Sequence, residues 1–257
     1  MTAYFERLGE RRFRATEHTG GAWELDTQHI APALGLLAHV VETDRDHRRD
    51  DGLVVTRLSY DILGTVPIDE VAVEVSVVRA GRTIELVEAV LVADGRAAVR
   101  LRAWLMRPRD TRQLTGSGHR PMPGPDRTEP WDATSLWRGG FIAGAEVRRE
   151  LLEPGRGRVW VRTDTRLVDD EPVSALSRFA GLLDIANGMS VRADPDVVLF
   201  PNVDLTAHFF DQPQGEWLGL DTTVSFGPDG VGLTESVVHD ERGPVGTSSQ
   251  CLTVRPR

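Results

Sequence analysis

The sequence predicts an α+β protein made of two copies of one unit. In each copy a long antiparallel meander curls around a single apolar helix. Three observations predict it. Ile30 to Glu42, "IAPALGLLAHVVE", is apolar almost all round, as a buried helix is. Strand-length runs follow it, parted by the turn pairs Ala80-Gly81 and Asp94-Gly95. The same order of helix and hairpins returns in the second half of the 257 residues.

Taken in order, Phe5–Phe13 and Ala22–Leu25 supply a leading strand or hairpin. The helix follows, with Pro32 in its first turn, where a missing N–H costs nothing. Strands are expected at Gly52–Asp61, Val71–Arg79, Thr83–Ala93 and Arg96–Met106. The run "VAVEVSVV" alternates with period two, the pattern of a half-buried strand. In the second half, Phe141–Leu151 and Arg158–Thr165 read as strands. Pro172–Met189 reads as a helix closed by Asn187-Gly188. Strands then follow at Val197–Phe210, Trp217–Phe226, Gly232–His239 and Pro244–Val254.

The two halves align without a gap over their last hairpins: Gly95 matches Gly243, Arg107 matches Arg255 and Pro108 matches Pro256. Between them Arg107–Trp131 is rich in proline, glycine and arginine and poor in apolar residues, as a linker is. The expected division is therefore 1–106, a linker over 107–131, and 132–257. A unit of one helix and one meander leaves a sheet edge or face uncovered, so two copies are expected to pack sheet to sheet.

Composition removes several chemistries. All 30 basic residues are arginine, against 39 acidic ones, for a net charge of -9. Without lysine there is no Schiff base, no pyridoxal-phosphate lysine and no P-loop lysine. The acidic balance argues against nucleic acid as a partner. No apolar run reaches the roughly 18 residues of a membrane span, and the charged first 14 residues lack a signal peptide's apolar core. The single cysteine, Cys251, forms no internal disulfide. A cytoplasmic protein without metal or organic cofactor is expected, from a GC-rich, bacterial source.

The segments "FPNVDLTAHFFDQPQGEWLGLDTTVSF" and "GPVGTSSQCLTVRP" resemble acyl-CoA thioesterase II and the wider double hot-dog thioesterases. "FERLGERRFRATEHTGGAWELDTQHIAPALGLLAHVVE" is similar to the opening of these proteins, so the resemblance spans nearly the whole chain outside the linker. It implies a double hot-dog, two antiparallel sheets each wrapped around one long helix. It also implies hydrolysis of fatty or related acyl-CoA thioesters, with acyl-CoA as the partner and further assembly into a homo-oligomer open.

In that family an Asp, a Thr or Ser, and a Gln hold the attacking water. By position in the motifs these resemble Asp204, Ser225 and Gln250, with Asp204 as general base. Two departures stand out: Ser225 takes the place of a threonine, and Cys251 that of a glutamate. The assignment requires the three side chains to meet on one water. The oxyanion is expected at a helix N-terminus, near His29–Ala31 or near Val173–Ala175.

Other residues are read alongside. His29, at the entrance of the first helix, reads as a cap neighbour or a site residue, with the structural role the expected one. Asp26 and His29 invite comparison with hot-dog enoyl-CoA hydratases, but stand three apart where those enzymes space the pair by five around Asn-Pro. Asp184 sits on an otherwise apolar helix, where it can cap, pair or face a site. Arg107, Arg109, Arg112, Arg120, Arg148 and Arg149 are available to phosphate groups. The alternative function is a non-catalytic acyl-CoA or lipid binder on the same fold.

Overall fold

A computed structural model describes residues 2–257. One continuous sheet of 13 strands runs through the molecule, in the order β7-β8-β12-β13-β14-β11-β3-β6-β5-β4-β2-β1-β9. The first half contributes β1 (Ala3–Arg7), β2 (Arg12–Ala15), β3 (Val54–Ile62), β4 (Glu70–Arg79), β5 (Ile84–Ala93) and β6 (Arg96–Met106). The second contributes β7 (Ala145–Glu153), β8 (Arg156–Thr163), β9 (Arg166–Val168), β11 (Asp204–Phe209), β12 (Leu218–Phe226), β13 (Val231–Asp240) and β14 (Gly243–Thr253). A separate two-stranded sheet pairs β10 (Val198–Leu199) with β15 (Arg255–Pro256).

The strand order carries the duplication. Read outward from the β11–β3 junction, β11-β14-β13-β12-β8-β7 on one side mirrors β3-β6-β5-β4-β2-β1 on the other. In each half a hairpin and a helical segment precede four strands, which pair in the order first, fourth, third, second. The expectation of two separate sheets packed face to face is corrected here. The halves join edge to edge through antiparallel β11 and β3, from Asp204 opposite Asp61 to His208 opposite Arg57. Such pairing satisfies the backbone groups that two free edges would expose. β9 crosses over to pair in parallel with β1.

The turns follow from their residues. Asp94 and Gly95 both have positive φ, at 49° and 72°. That is the type I′ geometry whose twist suits a hairpin. β5 alternates inward and outward along its whole length. Its inner residues Val87, Ala89 and Leu91 are fully buried in the core.

The long helix packs against the first half's strands. α1 runs from Ile30 to Arg48, and all its residues from Ala31 to Val41 are buried. A short helix, α2 (Gly140–Ala143), opens the second half. The one long helix expected over Pro172–Met189 is not formed. That segment divides into α3 (Ala175–Ala180), a 3-10 turn (Leu183–Ile185) and α4 (Ala186–Met189). Gly181 and Leu182 interrupt it, and Gly181 lies against Gly35 of α1. The break turns the chain so that Asp184 is 5% exposed and looks inward.

The linker is stitched to the second half's sheet. Pro123 accepts a hydrogen bond from the Trp160 indole N–H at 2.7 Å, and Met122, Trp160 and Trp217 form a small core of their own. Gly219 is what lets Met122 approach, since a Cβ there would lie 2.6 Å from the Met122 methyl.

Candidate active site

The pairing register decides which side chains can meet. On β14, Gln250 points inward and is 1% exposed, whereas the next residue, Cys251, is exposed. On β11 the inward residues are Leu205, Ala207 and Phe209. Asp204 therefore belongs to the outer face, where its carboxylate accepts the Cys251 N–H at 2.6 Å. Ser225 on β12 is exposed, opposite exposed Leu233. Of the three residues expected to share a water, only Gln250 faces the interior. The period of two puts the others on the wrong side of the sheet.

What Gln250 meets instead is Asp184. The Gln250 side-chain N–H donates to Oδ1 of Asp184 at 3.0 Å, and the Asn202 side-chain N–H donates to the same oxygen at 2.7 Å. Asn202 lies in the segment entering β11, held by a second hydrogen bond to the Asp204 carbonyl at 3.0 Å. Both amides turn their nitrogens to the carboxylate because an ionised carboxylate only accepts. That leaves Oε1 of Gln250 buried with no partner among the described residues, beside the equally unpartnered Oγ1 of Thr234 on the facing strand.

The second carboxylate oxygen faces the other half of the molecule. Oδ2 of Asp184 lies 3.8 Å from Nδ1 of His29, the N-cap residue of α1. His29 does cap, as expected: its Nδ1 accepts the Ala31 N–H at 3.2 Å. Its carboxylate neighbour is Asp184; Asp26 is exposed on the surface. Burial pushes the Asp184 carboxyl up to about 7, against the opposing pull of the Asn202 and Gln250 hydrogen bonds. Burial also pushes His29 down to about 3, so its imidazole is neutral.

Beside His29 opens a small cleft. His29, Ile185 and Asn187 form part of its wall, with Trp23 and Trp137 opposite. Trp23 meets Trp137 edge-on at 4.9 Å and Phe200 at 5.2 Å, so this part of the wall is aromatic. The indole N–H of Trp137 is tied to the Gly188 carbonyl at 2.7 Å.

The geometry also separates the two helix starts. The N-terminus of α3 is filled by Glu42 of α1, whose carboxylate accepts from Ser174 and from Ser177, the latter at 2.6 Å. Only the N-terminus of α1 adjoins Asp184 and the cleft. Most of the arginines read as phosphate ligands have partners already. Arg107 pairs with Asp51, Arg112 with Asp110 and Arg148 with Glu146, and Arg149 stacks on Trp131 at 3.4 Å.

A buried carboxylate, pushed up to about 7, thus lies between two amides of the second half and faces His29 of the first. Residues 19–106 match the family model of the acyl-CoA thioesterase N-terminal domain, and residues 108–254 that of the C-terminal domain. The chain belongs to the acyl-CoA thioesterase family and is a thioester hydrolase.

Solved structures share the fold. A hot-dog protein of unknown function from Alicyclobacillus acidocaldarius superposes with a TM-score of 0.75 at 15% identity, covering 98% of this chain and 95% of that one. Acyl-CoA thioesterase II TesB2 of Mycobacterium marinum gives 0.67 at 17%, covering 98% and 95%. The tesB protein of Mycobacterium avium subs paratuberculosis gives 0.66 at 20%, covering 98% and 96%. A search of curated proteins finds no match. Among the described residues no helix is long and apolar enough to cross a membrane.

Proposed function

We propose that the protein hydrolyses acyl-CoA thioesters by general-base activation of water at Asp184, with Gln250 and Asn202 orienting it. The observation that carries this is the convergence of a buried carboxylate, poised near neutral pH, with two amide donors beside a helix start. Oε1 of Gln250 has no partner among the described residues, and both amides bond Oδ1 of Asp184, which leaves Oδ2 to accept from the water. As the water oxygen bonds to the thioester carbon, its proton passes to Asp184. The C–S bond then breaks, and the same proton returns to the departing thiolate. The family pattern has a hydroxyl among the three water-binding groups; here Asn202 places an amide at the carboxylate.

A hydratase reading meets a tautomer problem. It would use His29 as a base at Nε2. With Nδ1 accepting the Ala31 N–H, the neutral ring carries its proton on Nε2, so that atom donates.

The test is release of free thiol from acyl-CoAs graded from short to long. The acyl length released fastest reads out the reach of the cleft lined by His29, Trp23 and Trp137. Binding of acyl-CoA without thiol release would instead identify a carrier. Two further outcomes are expected in the same assay. Asp204→Asn and Ser225→Ala keep wild-type turnover, since both side chains lie on the outer face. Gln250→Leu removes a donor that holds the Asp184 carboxyl down. Its kcat falls roughly tenfold or more, and its pH midpoint rises above that of wild type. A midpoint that stays put would separate Gln250 from the base.

A further inference from the structure

The start of α1 has few backbone donors to give. Four N–H positions, 29 to 32, lie at this end. That of His29 goes to the Thr19 carbonyl at 2.7 Å, and that of Ala31 goes to His29 Nδ1. Pro32 has none. Of these four, only the N–H of Ile30 is without a partner among the described residues, although an oxyanion site of this kind normally uses two or more donors.

The imidazole of His29 supplies what the backbone lacks. Its Nδ1 is engaged by Ala31, so the proton of the neutral ring sits on Nε2, and Nε2 has no partner among the described residues. The ring lies against Phe141, with centroids 4.3 Å apart and planes at 31°, which fixes its direction. It forms part of the cleft wall, and the base lies on its Nδ1 side.

We propose that His29 is a catalytic residue of the hydrolysis, its Nε2–H donating to the thioester carbonyl oxygen as that oxygen becomes the oxyanion. The proposal rests on thioester hydrolysis at Asp184 and deepens it. When the water oxygen bonds to the carbonyl carbon, the π pair of C=O moves onto oxygen and is met by Nε2–H and the Ile30 N–H. When the C–S bond breaks, that pair returns to re-form C=O, and the thiolate takes the proton held by Asp184. His29 keeps its proton throughout. A neutral donor suits a buried site, where an imidazolium would be costly, and the burial that holds the ring near 3 keeps it neutral.

The capping role and the donor role can be parted. Serine is a good N-cap but too short to reach the cleft, so His29→Ser keeps the cap and removes the donor. His29→Ala removes both. For His29→Ser we expect kcat to fall by roughly 10²–10³-fold, the loss typical of one oxyanion donor, with KM little changed. Its melting temperature and the pH midpoint set by Asp184 should match wild type. His29→Ala should lose the same kcat and melt lower. A His29→Ser enzyme within about threefold of wild-type kcat would reduce His29 to a cap and overturn the proposal, leaving the role of Asp184 intact. A wild-type protein that releases no thiol from any acyl-CoA would overturn both.

Discussion

Asp184→Asn is expected to lower kcat by roughly 10²–10⁴-fold, the range for loss of a general base. The exchange is nearly isosteric. The new amide oxygen can still accept from Asn202 and Gln250, so the surrounding network persists. What disappears is the capacity to take a proton. KM should change little, because the side chain acts on the water rather than on the acyl group. Thiol release that survives this substitution would remove Asp184 from the mechanism.

The same substitution should stabilise the protein, and its pH dependence has a definite sign. Folding raises the Asp184 carboxyl from 3.8 to about 7, so the folded state favours the protonated form. The resulting stabilisation is fully present below the unfolded value and is lost as pH rises through 7. At about 1.4 kcal/mol per unit, the loss approaches about 4 kcal/mol. The substituted asparagine has no charge to bury. The gain in melting temperature over wild type should therefore be near zero below pH about 4 and grow to a plateau above about 7. For a chain of this size, at roughly 2–4 °C per kcal/mol, the plateau is about 8–16 °C. Asn202 and Gln250 are neutral. His29 ionises only near 3 in the folded state, and its contribution has the opposite sign; it is common to both proteins and drops out of the difference. In wild type, kcat should rise with pH to a midpoint near 7, since only the ionised carboxylate accepts the water's proton. A gain in stability with a loss of turnover would mark a group kept for chemistry at a cost to the fold.

The fold could be read from the sequence because its signals are local. An all-apolar run has to be a buried helix, and Asp94-Gly95 has to turn. The gapless match of Gly95 to Gly243 follows from repeated hairpins. Two expectations failed for reasons that are not local. Nothing in β3 or β11 announces that their edges will pair, so one continuous sheet could not be told from two. Likewise the break at Gly181 depends on Gly35, nearly 150 positions earlier. The site was half readable. Gln250 followed from the resemblance and from alternation on β14. Asp204 stands on a motif strand, but a carboxylate flanked by Val203 and Leu205 faces outward once Leu205 faces in. Asp184 was visible as a lone acid in "LLDIANG", the kind of buried charge that needs a purpose. Asn202, two residues before Asp204 in "NVDLT", gave no signal of its own, because its contact with Asp184 exists only after the chain folds back.

Gly35→Ala is expected to be a damaging small substitution in the core. A Cβ at Gly35 would lie 2.8 Å from the Gly181 Cα, 2.9 Å from the Ser177 carbonyl oxygen and 3.0 Å from the Gly181 nitrogen. All three are backbone atoms, so relief requires moving α1 away from α3. Overpacking of this kind costs about 1–3 kcal/mol and sometimes more. Alanine's better helix propensity returns only about 1 kcal/mol. The reverse substitution is benign, since a Cβ at Gly181 meets nothing closer than the Arg178 carbonyl at 3.4 Å. Gly35→Ala should therefore melt several degrees below Gly181→Ala, at roughly 2–4 °C per kcal/mol. The functional consequence is sharper. His29 caps α1 and α3 leads into Asp184, so parting the helices widens the 3.8 Å gap between Nδ1 and the carboxylate. A displacement of about 1 Å can cost on the order of 10²-fold in rate. Thermal melts and kcat measured on the two alanine variants decide the point. Equal stability and equal turnover would mean that the glycine contact does not set the distance between the two halves of the site.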